Sequence, residues 1–113
     1  MGTSAKIVIG HTDHTGYWNV DKEYIRWKDG YIDAIKPILH QFKGNIGEYN
    51  ATAKYPSWEF AEITDGVRFE AEFIYYLDLS NLLKVRCSII SIDWDFYAKY
   101  GETSYKVIWE GIL

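Results

Sequence analysis

The chain has 113 residues, 48% of them hydrophobic and 25% charged, with a net charge of −4. That length suits a single domain over residues 1–113 with one core, and the balance is that of a globular chain rather than a disordered one. Acidity argues against binding phosphate backbones, no apolar run reaches membrane-spanning length, and the one cysteine, Cys87, cannot close an internal disulfide.

Residues 6–10, Lys-Ile-Val-Ile-Gly, read as a short strand, followed by the polar turn His11-Thr12-Asp13-His14-Thr15-Gly16. Residues 17–20 suit a second strand. The stretch 21–30 fits both a helical stripe and a strand, and its β-rich composition favours a strand over 23–28. Ile32, Ile35, Leu39 and Phe42 share one helical face, which predicts a helix over residues 31–43. Asp29 or Asp33 suits its start and Gly44 its stop, while Pro37 must lie in the first turn or kink it, which a start near Asp33 would solve. His40, beside the apolar stripe, reads as a partly buried structural histidine.

From Ile46 onward the pattern suggests only strands, the first over residues 48–54. Asp65-Gly66 suits a two-residue hairpin turn that pairs Thr64 with Val67, Glu62 with Phe69, Phe60 with Ala71 and Trp58 with Phe73. The alternation in residues 84–97 changes phase between Ile89 and Ile90, the mark of a β-bulge. A last hairpin turning near Gly101 pairs Lys99 with Ser104, Phe96 with Val107 and Trp94 with Trp109. The expected fold is α+β: a curved antiparallel sheet of about five to seven strands packed on one helix. Trp58, Phe73, Trp94 and Trp109 are expected inside.

These registers sort the acids onto the face opposite the aromatics. Residues 1–57 carry seven Lys/Arg and six Asp/Glu, a net of +1, whereas residues 58–113 carry five and ten, a net of −5. Glu59 would lie opposite Glu72 and Asp93 opposite Glu110, and like charges across strands destabilise a sheet mildly. A sequence shaped by stability alone would mix in lysines, so the pattern points to a partner. Glu59, Glu70, Glu72, Asp93, Asp95 and Glu110 would steer a basic protein, with Tyr76 and Tyr97 as anchors. A nuclease or nucleic-acid-binding enzyme has the required charge. A solvated face short of basic residues is the plain alternative, and paired carboxylates on an open sheet lack the cleft that glycosidase chemistry needs.

The turn at residues 11–16 offers His11, Asp13 and His14 as metal-capable side chains. It resembles the later part of the metallo-β-lactamase-type signature His-x-His-x-Asp-His-x-Gly, through His11, Asp13, His14 and Gly16. The first histidine of that pattern is Ile9 here, which leaves the implied site short of a ligand. Otherwise Asp13 and the threonines satisfy backbone groups of a polar turn. Cys87, in a strand-like context, reads as a buried small hydrophobe.

The expected function is that of a small, acidic, cytosolic, non-enzymatic binding protein of the toxin-immunity or anti-defence kind, occluding a basic protein and needing no cofactor. The residues 1–6 lack the apolar run of a secretion signal. The alternative is a small-ligand-binding domain lined by spare Tyr and Trp, or a metal-dependent hydrolase using the His11-Asp13-His14 turn. An open sheet edge is also compatible with a homodimer.

Overall fold

The computed structural model describes residues 3–54, 59–64 and 70–113. In chain order the elements are β1 (Ala5–Thr12), β2 (Trp18–Arg26), α1 (Ile32–Phe42), α2 (Ile46–Thr52), β3 (Ala61–Glu62), β4 (Phe73–Asp78), β5 (Arg86–Ile92), α3 (Trp94–Tyr100) and β6 (Tyr105–Ile112). The strands form one open sheet in the order β3-β2-β1-β4-β5-β6. The α+β class is as expected, with one difference. β1 and β4 run parallel, so the sheet is mixed, while every other neighbouring pair is antiparallel.

β1 is central because it is apolar on both faces. Ala5, Ile7 and Ile9 face the helices, and Val8 and Gly10 are buried on the other side. A bulge between Ile9 and Gly10 leaves Asp21 of β2 as the extra residue. The strands expected over 17–20 and 23–28 merge into the single β2, and Trp27 lies beyond it.

α1 follows its stripe. Ile35 and Leu39 are fully buried, and Ile32 and Ile38 pack against the core. Its N-cap is Tyr31, whose carbonyl accepts from Ala34 and Ile35, so neither Asp29 nor Asp33 caps it. Pro37 sits in the second turn, where it lacks the N–H that would reach the Asp33 carbonyl. Lys43 and Gly44 turn left-handed, at φ 51° and 79°, and end the helix at the expected place. His40 is exposed, because it points off the apolar stripe.

Three expectations are corrected. Residues 46–52 are helical, because the Asn45 side chain accepts the Glu48 N–H at 3.0 Å and Ile46 anchors the first turn in the core. Among the described residues, 59–64 and 70–73 are not paired as that hairpin: β3 pairs with β2, and β4 lies beyond β1. The Asp65-Gly66 turn, Trp58, Val67 and Phe69 lie outside the described residues. The last hairpin exists, but its strands stop at Ile92 and resume at Tyr105 with α3 between. Asp93 accepts the Phe96 N–H and Gly101 closes the helix at φ 68°, so residues 94–100 coil instead of extending. The ladder therefore joins Ile90 to Val107, Ile89 to Trp109 and Ser88 to Glu110. The register shift between Ile89 and Ile90 is present, with Ile108 as the extra residue on β6. Trp94 is 57% exposed, not internal. Trp109 does pack on the core, beneath the Lys36 ammonium, 3.9 Å from its ring centroid, and Phe73 packs there too.

Candidate functional site

α1 and α2 cover one face of the sheet, burying Ile35, Leu39 and Ile46 against Ile7, Tyr75, Leu77 and Ile89. Strand pairing sets out the other face in rows. One row runs Glu23, Val8, Tyr76, Ser88, Glu110 across β2, β1, β4, β5 and β6. The next runs Val20, Gly10, Asp78, Arg86, Ile112. Trp18 and the β4, β5 and β6 residues of these rows bound a concavity of about 650 Å³, whose lining includes Tyr76, Asp78, Arg86, Ser88, Glu110 and Ile112.

Local chemistry shapes each wall. Gly10 lets the Trp18 indole lie across β1: a Cβ there would sit 2.7 Å from Trp18 Cζ2 and 2.2 Å from the Asn19 carbonyl oxygen. Asp78 ends β4 and accepts from Thr12 Oγ1 at 3.0 Å and from the Ser80 N–H at 2.9 Å. Burial pushes its pKa up, but the bonds from Ser80 and Thr12 outweigh that and hold the carboxyl below its ordinary value. Arg86 lies directly opposite Asp78 and is exposed, with no ion pair among the described residues. Glu110, on β6, is exposed at the rim.

The acids and tyrosines expected on one face are divided. Tyr76 and Glu110 share the concavity, one strand apart across Ser88. Glu70 and Glu72 flank Ala71, whose carbonyl accepts the Tyr105 phenol at 2.9 Å, at the end of β6 remote from Glu110. Burial, and next the Glu70 charge, raise the Tyr105 pKa. Asp93 caps α3, and exposed Asp95 and Tyr97 lie on that helix, with the Tyr97 ring edge-on to Trp94 at 6.0 Å. Glu59 is on the helix side, 3.5 Å from the Arg26 guanidinium and accepting from Tyr49 Oη at 3.1 Å. Arg26 in turn lies over the buried Phe60 ring. Trp18, Asp78, Arg86, Ser88 and Ile112 were not foreseen. A glycine ending an apolar strand was the one local hint, marking close approach at Gly10.

His11 and Thr12 end β1, paired with Asn19 and Trp18, and residues 13–17 form the hairpin turn. Asp13 accepts from the N–H groups of Thr15 and Tyr17, at 2.9 and 3.1 Å, and from Asn19 Nδ2 at 3.1 Å. Hydrogen bonds from Thr15 first, then Asn19, draw its pKa down to about 2. His11 Nδ1 lies 2.8 Å from Asp21, whose hydrogen bond raises the imidazole pKa. His14 is exposed. Among the described residues no group of three or more His, Cys, Asp or Glu side chains converges as a metal ion would need. Cys87 is buried and its thiol is pushed up to about 12 by burial, a poor nucleophile. Among the described residues no helix is long and apolar enough to cross a membrane.

No protein-family model, no curated protein and no solved structure matches this chain.

Proposed function

We propose that the protein is a non-enzymatic binding protein that seats a basic segment of another protein on the sheet face turned away from the helices. One observation carries this reading: the concavity combines the aromatic surfaces of Trp18 and Tyr76 with two carboxylates, Asp78 and Glu110, against one guanidinium, Arg86. Aromatics supply rigid contact area, and the acidic excess favours Lys or Arg in the occupant. Asp78 is held ionised by its neighbours, so it offers charge rather than a proton. Occlusion of a basic partner in a reducing cytosol, in the manner of an immunity-type inhibitor, suits both the charge and the unpaired Cys87.

The test is selection from a displayed peptide library on the immobilised protein. Selected peptides should be enriched in Lys and Arg, release as salt rises, and bind poorly to the Trp18→Ala and Glu110→Arg variants. Selection of acidic or neutral peptides, or full retention by both variants, would overturn the reading. A volume of about 650 Å³ also falls within the range of small-ligand sites. A small planar ligand between Trp18 and Arg86 is therefore the second reading, and it predicts binding that depends on Trp18 but not on Glu110.

A further inference from the structure

β6 is the edge of the sheet among the described residues, and it is long, where the opposite edge strand, β3, is two residues. Its ladder to β5 is fixed in phase at both ends. Leu113 donates to the Val85 carbonyl at 2.9 Å, and Asp93 donates to the Ser104 carbonyl at 2.8 Å. Antiparallel alternation then turns the N–H and C=O of Lys106, Trp109 and Gly111 toward β5, and the bulge resets the phase between them. Tyr105, Val107, Glu110 and Ile112 point their backbone groups outward. Those four also share one face, because their β5 partners are Ile92, Ile90, Ser88 and Arg86. Val107 and Ile112 are each 57% exposed and Ile108 36%, an apolar edge of the kind that templates strand pairing.

We infer that β6 pairs antiparallel with β6 of a second copy of this chain, joining two sheets across a two-fold axis. The register follows from the strand itself. Setting Tyr105 of one copy opposite Ile112 of the other places Val107 opposite Glu110. All four outward positions are then engaged, each facing a residue on its own side of the sheet. Any other offset engages at most two of the four. This register sets a ring against a β-branched side chain and puts no like charges directly opposite, both favourable across strands. Lys106, a residue type that often blocks an edge, falls opposite Gly111, which has no side chain to meet it. The contact is isologous, so it closes at two copies.

The inference is independent of what the concavity holds, and mass and cross-linking test it. Light scattering on the intact protein should give twice 13.2 kDa at high concentration. Val107→Lys should give the single-chain mass, with its melting curve at low concentration unchanged. The double variant Val107→Cys/Glu110→Cys should oxidise to a covalent dimer, while Glu110→Cys/Ile112→Cys should not, and buried Cys87 does not compete. A single-chain mass at every concentration, a dimer that survives Val107→Lys, or equal cross-linking by the two cysteine pairs would overturn it. Peptide capture by the Val107→Lys monomer separates the outcomes, since that variant keeps the concavity lining intact.

Discussion

Gly10 carries a constraint that few single positions in this chain match. The Trp18 ring and the Asn19 carbonyl both occupy the space a side chain would need. Gly10→Ala should therefore cost about 1–3 kcal/mol, the usual range for forcing atoms into a packed site, read from chemical denaturation. Adding Trp18→Ala should recover only part of that loss, because the Asn19 oxygen belongs to the backbone and stays. The turn at Asp13 makes a different prediction. Its folded pKa of about 2 lies below the ordinary 3.8, so its contribution to stability is present above the ordinary value and is lost as pH falls toward 2. Melting temperature should drop across that interval, and Asp13→Asn should flatten the drop. His11 runs the opposite way. Its raised pKa means the pair with Asp21 stabilises below pH 6.5 and fades as pH rises through the folded value. Proton NMR titration of His11 should show the raised pKa, and Asp21→Asn should lower it toward the ordinary value.

At the level of elements, short helices here depend on their caps. α2 has seven residues, with Asn45 closing its first turn through the Glu48 N–H. Asn45→Ala should lower stability by about 1 kcal/mol, and Asn45→Asp should hold it, both read from thermal unfolding. That dependence also explains what could be read in advance. α1 was legible because Ile32, Ile35 and Leu39 repeat over three turns and Gly44 ends them. α2 and α3 are too short for a period to show. α3 moreover consists of Trp94, Phe96, Tyr97 and Tyr100 among smaller residues, side chains that ordinarily favour strands. Asp93, which looked like one more acid on a sheet face, was the capping signal. The irregularity falls at the expected place, between Ile89 and Ile90, but β5 keeps its alternation against β4 and the extra residue is Ile108 of β6.

Across the whole molecule, what decided the candidate face was sheet order. Hairpin reasoning assumes that neighbours in sequence are neighbours in space. Here β4 leaves β3 and lies beside β1, so Glu59 stays with Arg26 and Tyr49, Glu70 and Glu72 lie by Tyr105 and Ile92, and Glu110 falls toward the other end of β6. Tyr76 and Glu110 remained together because β4, β5 and β6 are consecutive in both senses. Asp78 lay in a stretch that reads as a connection, and Arg86 opens a strand whose place beside β4 no local pattern reveals. The same order predicts a gradient of local stability. Amides of β1, β4 and β5, paired on both sides, should exchange most slowly with deuterium, and those of β3 fastest among the strands. Equal protection across the sheet would contradict this order.

The parallel pairing of Ala5 with Phe73 reaches beyond the finished fold, to how the chain is made. The β1–β2 hairpin leaves the ribosome before β4, with one side of its most apolar strand lacking its neighbour. At about 5–20 residues per second, roughly 3–10 s pass between the emergence of Arg26 and that of Asp78. An isolated hairpin is barely stable over that time. Translation speed between these points, and any chaperone that shields Ile7 and Ile9 meanwhile, therefore bear on yield in the cell, and a ribosome stalled there would expose a sticky strand.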